Sequence, residues 1–343
     1  MTTRKLDTNR KSGKAEALSL KFANRIIGQP KGTEALIGAL EKFQSGFYNV
    51  TKPIASLLFL GPTGVGKTGA VEAFVEGLYG VPDWFMKIDC AEFQHSHEIA
   101  KLVGSPPGYL GHRETKSFFT GERITSFKTV DVPFTVIMFD EIEKSSDSLW
   151  NLLLGILDKA TLTLGTNEVV KFNDTIIVMT SNVGAAELAT KAGDKGLGFL
   201  PVGTEISQKE IEDTAMAAAR RKFMPEFLNR LDSVVVFNTL TPSDVKEILN
   251  LELQKLQDRV VLGSKQLFTI NVSPSALKQI LAEGYSKRDN ARYLQRKIEK
   301  YVSQPIASLL ATGQIMPHDT VIVDSVEGEW GYYAQSTGDV LFP

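Results

Sequence analysis

A glycine-rich segment at residues 61–68 reads Gly61, Pro62, Thr63, Gly64, Val65, Gly66, Lys67 and Thr68. It matches the pattern of loops that bind phosphate. Glycines let backbone N–H groups turn inward around an anion, and the start of the following helix adds partial positive charge. We expect Lys67 to reach the β- and γ-phosphates of a nucleotide and the Thr68 hydroxyl to bind Mg²⁺. The alternative, an incidental glycine-rich turn, is disfavoured because an apolar run precedes the segment and a helical pattern follows it.

Two adjacent acids, Asp140 and Glu141, follow the apolar run at 136–139. Ligands of open α/β sheets bind at the carboxyl ends of the strands, where these acids would lie. We expect Asp140 to hold Mg²⁺ through its water shell and Glu141 to polarise the attacking water. A binding protein does not need the second acid, whereas a hydrolase does. Strand ends also carry solvated acids, but the position downstream of a phosphate loop favours catalysis.

A polar triplet, Thr180, Ser181 and Asn182, closes another apolar run at 175–179. If this strand lies between the strands at 57–60 and 135–139, Asn182 falls beside the γ-phosphate. Its side chain can then hydrogen-bond the phosphate or the attacking water. The alternative is that Ser181 and Asn182 cap the next helix. Together with the other two segments, the functional interpretation is favoured.

Helical patterns alternate with short apolar runs between residues 24 and 237, which is typical of an α/β fold with a parallel sheet. The runs lie at 57–60, 85–89, 135–139, 175–179 and 234–237. Beyond Thr241, helical patterns predominate, with a short β pair at 267–270 and 320–323. The sequence therefore predicts a large sheet domain followed by a smaller, mainly helical domain. The predicted boundaries are a flexible basic arm at 1–20, the large domain at 21–239, the small domain at 240–327 and a tail at 328–343.

Composition narrows the class of protein. The 343 residues carry a net charge of only −2, which argues against binding nucleic acid or a membrane by bulk charge. A single cysteine, Cys90, cannot form an internal disulfide. No apolar run approaches the length of a membrane span. The sequence favours a cytoplasmic protein, with no metal site beyond nucleotide-bound Mg²⁺.

Several motifs together resemble the second ATPase domain of the Clp-type heat-shock unfoldases. They occur in order as Arg25–Gln29, the phosphate loop, Ile88–Phe93, Gly104–Gly111, Phe139–Lys144, Thr180–Ala185, Pro225–Asp232 and Asn290–Arg292. The resemblance covers residues 20–325. It implies an AAA+ fold, a five-stranded parallel sheet with a helical lid, and an ATPase that assembles as a hexameric ring with ATP between subunits.

The resemblance also implies roles for single residues. Ile26 and Ile27 correspond to the apolar pair that packs on adenine, which implies ATP as the nucleotide. Arg230 corresponds to the arginine finger that reaches the neighbouring subunit's site and stabilises charge on the transferring phosphoryl group. Without the resemblance, a solvated arginine after a helix is the simpler interpretation.

The lid motif departs from the family. Arg292 corresponds to the lid arginine that senses the γ-phosphate. Asn290 stands where a glycine is usual, and Tyr293 stands where a proline is usual. The arginine is retained, so its role is carried over, while the departures leave the lid geometry open.

Two loop motifs concern macromolecular partners. In the family, the loop matching Gly108, Tyr109, Leu110 and Gly111 lines the central pore, and its aromatic residue grips an extended polypeptide; the alternative is a plain turn with Tyr109 in a core. The tripeptide Leu197, Gly198 and Phe199 resembles the short motif with which some Clp unfoldases dock onto a peptidase ring. A loop that packs back on the body is an equal alternative for this tripeptide.

Three functions of different classes follow from these motifs. The favoured one is an ATP-driven motor that unfolds or remodels proteins, acting alone or with a peptidase or adaptor. The second is an AAA+ loader or motor on nucleic acid, which the near-neutral charge and the aromatic loop disfavour. The third is a nucleotide switch that assembles on ATP, which Glu141 and Arg230 together disfavour.

Overall fold

The protein is described from a computed structural model, which covers residues 6–7, 10–105, 117–185, 187, 208–263, 267–285 and 290–336. The chain divides into two units. The first comprises Met1–Pro62 and Gly66–Asn238, and the second comprises Thr63–Val65 and Thr239–Pro343.

The first unit is built from strands and helices that alternate along the chain. Its strands are β1 (Ala55–Leu60), β2 (Met86–Asp89), β3 (Thr135–Asp140), β4 (Thr161–Thr163), β5 (Val169–Lys171), β6 (Thr175–Ser181) and β7 (Ser233–Val236). Its α-helices are α1 (Gly13–Ala23), α2 (Pro30–Ser45), α3 (Lys67–Tyr79), α4 (Ala100–Val103), α5 (Gly121–Ser126), α6 (Asp147–Lys159), α7 (Gln208–Lys222) and α8 (Pro225–Leu228). Short 3₁₀ helices lie at Cys90–Phe93, Ser96–Ile99 and Ile142–Lys144.

Five of these strands form one parallel sheet in the order β2-β3-β6-β1-β7. Every residue of β1 and of β6 is buried, which explains why these runs are continuously apolar or small rather than alternating. The β6 strand lies between β1 and β3, so their carboxyl ends meet at one edge. The predicted five-stranded parallel sheet is confirmed. Strands β4 and β5 form a separate antiparallel hairpin.

The prediction of a flexible arm over residues 1–20 is wrong for residues 13–20, which lie in α1. Ser12 caps this helix by accepting a hydrogen bond from the backbone N–H of Ala15. Ala15, Leu18 and Phe22 are buried on one helical face. Their spacing of three and four residues is typical of a helix, but the surrounding charged residues obscure it in the sequence.

The second unit is mainly helical. Its helices are α9 (Pro242–Gly263), α10 (Pro274–Gly284), α11 (Leu294–Ile298), a π-helical turn (Glu299–Ser303) and α12 (Gln304–Ala311). Its strands are β8 (Thr269–Val272), β9 (Asp319–Val326) and β10 (Glu329–Ser336), arranged as β10-β9-β8. The predicted small helical domain is confirmed. None of the described helices in either unit has the length and apolar character needed to cross a bilayer.

The aromatic tail, whose place the sequence leaves open, contributes β10. This strand pairs antiparallel with β9 over its whole length. The Trp330 ring stacks on Tyr301 with centroids 4.2 Å apart, and the Tyr332 hydroxyl donates to the Tyr301 carbonyl at 3.0 Å. The tail therefore closes the small sheet.

Candidate functional site

The phosphate-binding loop at residues 61–68, the P-loop, connects β1 to α3. Its three glycines, Gly61, Gly64 and Gly66, have positive φ angles of 150°, 74° and 98°. At Gly61 an added Cβ would lie 2.8 Å from the Phe237 carbonyl oxygen, so a side chain would collide with backbone there. The loop conformation thus requires glycine for both dihedral and steric reasons.

Lys67, at the start of α3, is the centre of the site. Its ammonium group donates to the carbonyl oxygens of Gly61 and Pro62 at 2.6 and 2.7 Å, and to Asn182 Oδ1 at 2.8 Å. The residue is only 8% exposed, and burial lowers the pKa of Lys67 to about 8, with nearby Glu143 opposing the shift. Three acceptors for three ammonium hydrogens hold this side chain in one position.

Asn182 connects Lys67 to the predicted catalytic acid. While its Oδ1 accepts from Lys67, its Nδ2 donates to Glu141 Oε1 at 2.9 Å. Its backbone N–H donates to Glu143 Oε1 at 3.1 Å. Because Lys67 only donates and the Glu141 carboxylate only accepts, the orientation of the amide is determined. This relay requires β6 between β1 and β3, the arrangement on which the prediction for Asn182 depended.

Thr180 joins the two acids at the end of β3. Its hydroxyl donates to Asp140 Oδ1 and accepts from the backbone N–H of Glu141 at 3.1 Å. Asp140 also forms an ion pair with Lys87 at 3.1 Å. Glu141 has a positive φ of 56°, an uncommon conformation for a non-glycine residue, and forms an ion pair with Lys144. These contacts fix the directions of both carboxylates.

The residues predicted to hold Mg²⁺ have suitable chemistry. Thr68 lies in the first turn of α3 and offers a hydroxyl oxygen, and Asp140 offers a carboxylate. Magnesium prefers oxygen ligands and is commonly bound by one or two protein groups together with substrate phosphates. Among the described residues no cluster of three or more His, Cys, Asp and Glu side chains forms a metal cage. The hydroxyl of Thr68 and the carboxylate of Asp140 therefore suit a Mg²⁺ ion that is bound together with the phosphates of a nucleotide.

The predicted adenine-contacting pair is half-buried. An added Cβ on Gly69 in α3 would lie 3.9 Å from Ile26 Cδ1, so Ile26 lies next to the helix that follows the P-loop.

Arg230 lies outside the cluster around Lys67. Its guanidinium donates to Glu226 at 2.8 Å and lies 3.9 Å from Asp158, and its side chain is 26% exposed. Arg292 lies in the second unit and is exposed. Within the first unit, the structure therefore groups Lys67, Asp140, Glu141 and Asn182 and leaves Arg230 outside this cluster.

The loop residues Gly108, Tyr109, Leu110 and Gly111 and the tripeptide Leu197, Gly198 and Phe199 lie outside the described residues. Their roles stay predictions.

Sequence reasoning missed four supporting side chains, Thr180, Lys87, Glu143 and Lys144. In the sequence, Thr180 is distinguished only as part of a polar triplet. Glu143 and Lys144 lie in a motif that carries the family resemblance, but the sequence predicts no role for them. A signal for Lys87 exists in the alternation of β2, where Met86 and Ile88 are buried while Lys87 and Asp89 are exposed.

Two family models match the chain. Residues 52–234 match the family model described as AAA domain (Cdc48 subfamily). Residues 240–323 match the model described as the C-terminal, D2-small domain, of ClpB protein.

Curated relatives include the ATP-dependent Clp protease ATP-binding subunit ClpC of Staphylococcus epidermidis, which is 36% identical over 308 residues. That alignment covers 90% of this chain and 36% of the relative. The ClpC subunit of Staphylococcus aureus strain USA300 is 36% identical over 320 residues, or 93% of this chain and 38% of the relative. The chain thus spans little more than a third of the length of these relatives.

A similar solved structure is described as a closed-state cryo-EM reconstruction of Hsp104 with ATPγS and FITC casein. It has a TM-score of 0.77 and 27% identity, and the match covers 94% of this chain and 52% of that one. The two matched domain models and the shared fold agree. The chain belongs to the AAA family and, within it, to the Clp/Hsp100 group.

Proposed function

We propose that this chain hydrolyses ATP with Mg²⁺ and uses the energy to remodel or unfold protein substrates as a homo-hexamer. The observation that supports hydrolysis best is the relay Lys67–Asn182–Glu141, with hydrogen bonds of 2.8 and 2.9 Å. It connects a residue that binds phosphate to a residue that polarises water. A protein that only binds nucleotide has no need for this connection.

Each of these groups has a role in the proposed reaction. Backbone N–H groups of the P-loop and the Lys67 ammonium bind the phosphates. Thr68 and Asp140 would hold Mg²⁺ together with the phosphates, and the ion would neutralise the charge that develops on them. Glu141 accepts a hydrogen bond from the attacking water and aligns it with the γ-phosphorus. Asn182 contacts both Lys67 and Glu141, so it holds the phosphate and the attacking water in a fixed relative position.

Three further roles belong to the proposal. Ile26 and Ile27 pack on adenine, which selects ATP. Arg230 serves the site of a neighbouring copy, in agreement with its place outside the Lys67 cluster of its own chain. Arg292 senses the γ-phosphate from the lid.

Protein is the proposed substrate, gripped by Tyr109 in a loop of glycines and leucine at 108–111. The similar solved structure of Hsp104 is described with FITC casein, a protein, and with ATPγS, which supports this choice. The mechanism is physically simple, because an aromatic side chain makes apolar contacts with many sequences. A net charge of −2 offers little attraction for nucleic acid.

The proposal also includes a peptidase or adaptor partner, which would bind at residues Leu197–Phe199. The relatives' name, ATP-binding subunit of a Clp protease, supports it. Deleting residues 197–199 is expected to abolish co-sedimentation with the peptidase while ATPase activity persists. Unchanged co-sedimentation would remove this part of the proposal. The proposed location is the cytoplasm.

The main test is a substrate trap. Glu141→Gln keeps the shape of the side chain but cannot polarise water, so it is expected to bind ATP and to stall. The variant is incubated with ATP and a fluorescent unfolded protein, and retained protein is measured by size exclusion. Tyr109→Ala in the same background is expected to release the substrate, whereas Tyr109→Phe, which keeps the ring, is expected to retain it.

Each other outcome points to another class. Retention of nucleic acid in place of protein supports the loader. Assembly on ATP without retention of protein, and with turnover far below one per minute in the wild type, supports the switch.

A further inference from the structure

Asn290 has a backbone conformation that few residues accept. Its φ is 50°, in the left-handed region, and the residue is 1% exposed. Glycine is usual at this position in the family that the chain resembles. Because glycine has no Cβ, it adopts a positive φ angle without steric cost. Asparagine is among the residues best tolerated in this region. The replacement therefore keeps the backbone path and adds a buried amide.

The amide binds two backbone groups of the second unit, which includes Thr63–Val65 of the P-loop. Oδ1 accepts from the N–H of Leu240 at 3.3 Å, and Nδ2 donates to the carbonyl oxygen of Thr63 at 3.1 Å. An N–H can only donate and a carbonyl can only accept, so a flipped amide would lose both bonds. The Tyr285 hydroxyl donates to the Leu240 carbonyl at 3.2 Å, so both backbone groups of Leu240 are held.

The bond to Thr63 has a consequence for the next residue. A trans peptide is planar, and its carbonyl oxygen and N–H point in opposite directions. The described chain has no cis peptide bonds. When the Thr63 carbonyl points at Asn290, the N–H of Gly64 points away from it. Gly64, with φ of 74°, is one of the residues whose N–H a P-loop uses for phosphate.

We propose that Asn290 is a positioning residue for phosphate binding, because it fixes the Thr63–Gly64 peptide with the Gly64 N–H directed at the nucleotide's phosphates. The inference rests on the proposed function only in that the P-loop binds a nucleotide. It assigns to this chain a side chain that glycine-bearing relatives lack. Nucleotide affinity then depends on an amide that does not touch the nucleotide.

Three variants separate the two bonds. Asn290→Gly keeps the backbone conformation and removes both. Asn290→Asp keeps the shape and the acceptor for Leu240 but cannot donate to Thr63. Tyr285→Phe is the matched control, because it loosens Leu240 and leaves the Asn290 amide intact. The readout is the Kd for a fluorescent ADP analogue, measured by anisotropy at two ionic strengths, with the melting temperature of each variant without nucleotide.

The expected result is that Asn290→Gly and Asn290→Asp each raise the Kd about two- to tenfold, the range of one net hydrogen bond, at both ionic strengths. Tyr285→Phe is expected to stay within about twofold of the wild type. The inference is overturned if Asn290→Gly lowers the melting temperature but leaves the Kd of the folded protein unchanged. It is also overturned if only Asn290→Asp weakens binding and high salt restores it, since that reports charge repulsion. Failure of the wild type to bind ADP would instead reject the proposed function.

Discussion

The side-chain amide of Asn182 donates to Glu141 Oε1 at 2.9 Å, so the acid at the end of β3 is held by a residue from the adjacent strand β6. The same amide accepts from Lys67 through its oxygen. A single side chain thus connects the lysine proposed to bind phosphate with the glutamate proposed to activate water. Small changes at this position are expected to affect turnover more than binding.

Asn182→Ala is expected to lower kcat by about 10- to 100-fold, the value of one hydrogen bond to a charged group in the reacting geometry. The Kd for ATP is expected to change by less than about threefold, because the proposed contact of Lys67 with the phosphates does not depend on Asn182. Steady-state ATPase assays measure kcat, and nucleotide titration measures the Kd for ATP. Asn271→Ala, on the exposed side of β8, is the control amide. A large rise in Kd with unchanged kcat would contradict the relay.

Thr180→Val is expected to raise the Mg²⁺ concentration needed for half-maximal ATPase activity. The substitution preserves shape but removes the hydroxyl that donates to Asp140 and accepts from the Glu141 N–H. A buried donor left unpaired also lowers the free energy of unfolding by about 1–3 kcal/mol.

Thr135→Val is the matched control for Thr180→Val. Thr135 is also fully buried, lies at the end of β3 opposite Asp140 and donates to the Ile124 carbonyl at 2.6 Å. It is expected to lose similar stability while the Mg²⁺ dependence stays that of the wild type. If both variants shift the Mg²⁺ dependence equally, the effect is one of general stability, and the role of Thr180 is rejected.

Gly165→Ala is expected to weaken the coupling between substrate and ATP turnover. Gly165 follows β4, and its N–H donates to the Val103 carbonyl at 2.8 Å. An added Cβ would lie 2.7 Å from the Gly104 carbonyl oxygen, so the backbone before residues 106–116 must move. Since Tyr109 lies in that segment, stimulation of ATPase activity by unfolded protein should fall severalfold while basal activity persists.

Gly155→Ala controls for the added methyl group. Gly155 lies in α6, an added Cβ there has no neighbour within 4 Å, and alanine is the better helix former by roughly 1 kcal/mol. It is expected to leave stimulation unchanged and to raise the melting temperature slightly. Equal stimulation in Gly165→Ala and the wild type would exclude a role of the hairpin in positioning the loop.

Glu283 makes the second unit sensitive to acid. Hydrogen bonds from Lys297 and Tyr301 lower the pKa of Glu283 to about 2. Because the pKa is lower in the folded state than in the unfolded chain, this stabilisation is complete above the ordinary pKa of 4.5 and is lost as the pH falls toward 2. Glu283→Gln should lower the stability at pH 7 by at most about 1 kcal/mol, since the pair is partly exposed and screened.

The measurement for Glu283→Gln is denaturant unfolding between pH 2 and 7, for which the wild type and the variant should converge at the acid end. Glu247→Gln, at an exposed position on α9, is the control and should follow the wild type throughout. A difference between Glu283→Gln and the wild type that is independent of pH would show that the lost contact is not ionic.

Local patterns in the sequence were enough to identify the candidate site residues. The P-loop glycines, the acids after an apolar run and the polar triplet after another are readable because each depends on neighbours along the chain. The five strands are readable for the same reason, since a strand buried on both faces must be apolar throughout. The sequence by itself therefore determined the class of fold and the type of chemistry.

Only the tertiary structure decided which of these groups meet. The order β2-β3-β6-β1-β7 brings Asn182 between Lys67 and Glu141, and strand order depends on pairing between distant segments that no local pattern encodes. Thr180 in β6 and Lys87 in β2 contact Asp140 because both strands are neighbours of β3 in this order. At α1, three buried side chains outweigh a charged local composition, because burial against other elements is a property of the folded chain. The second hydrogen bond of Asn290 likewise exists only because residues 227 positions apart in the chain meet.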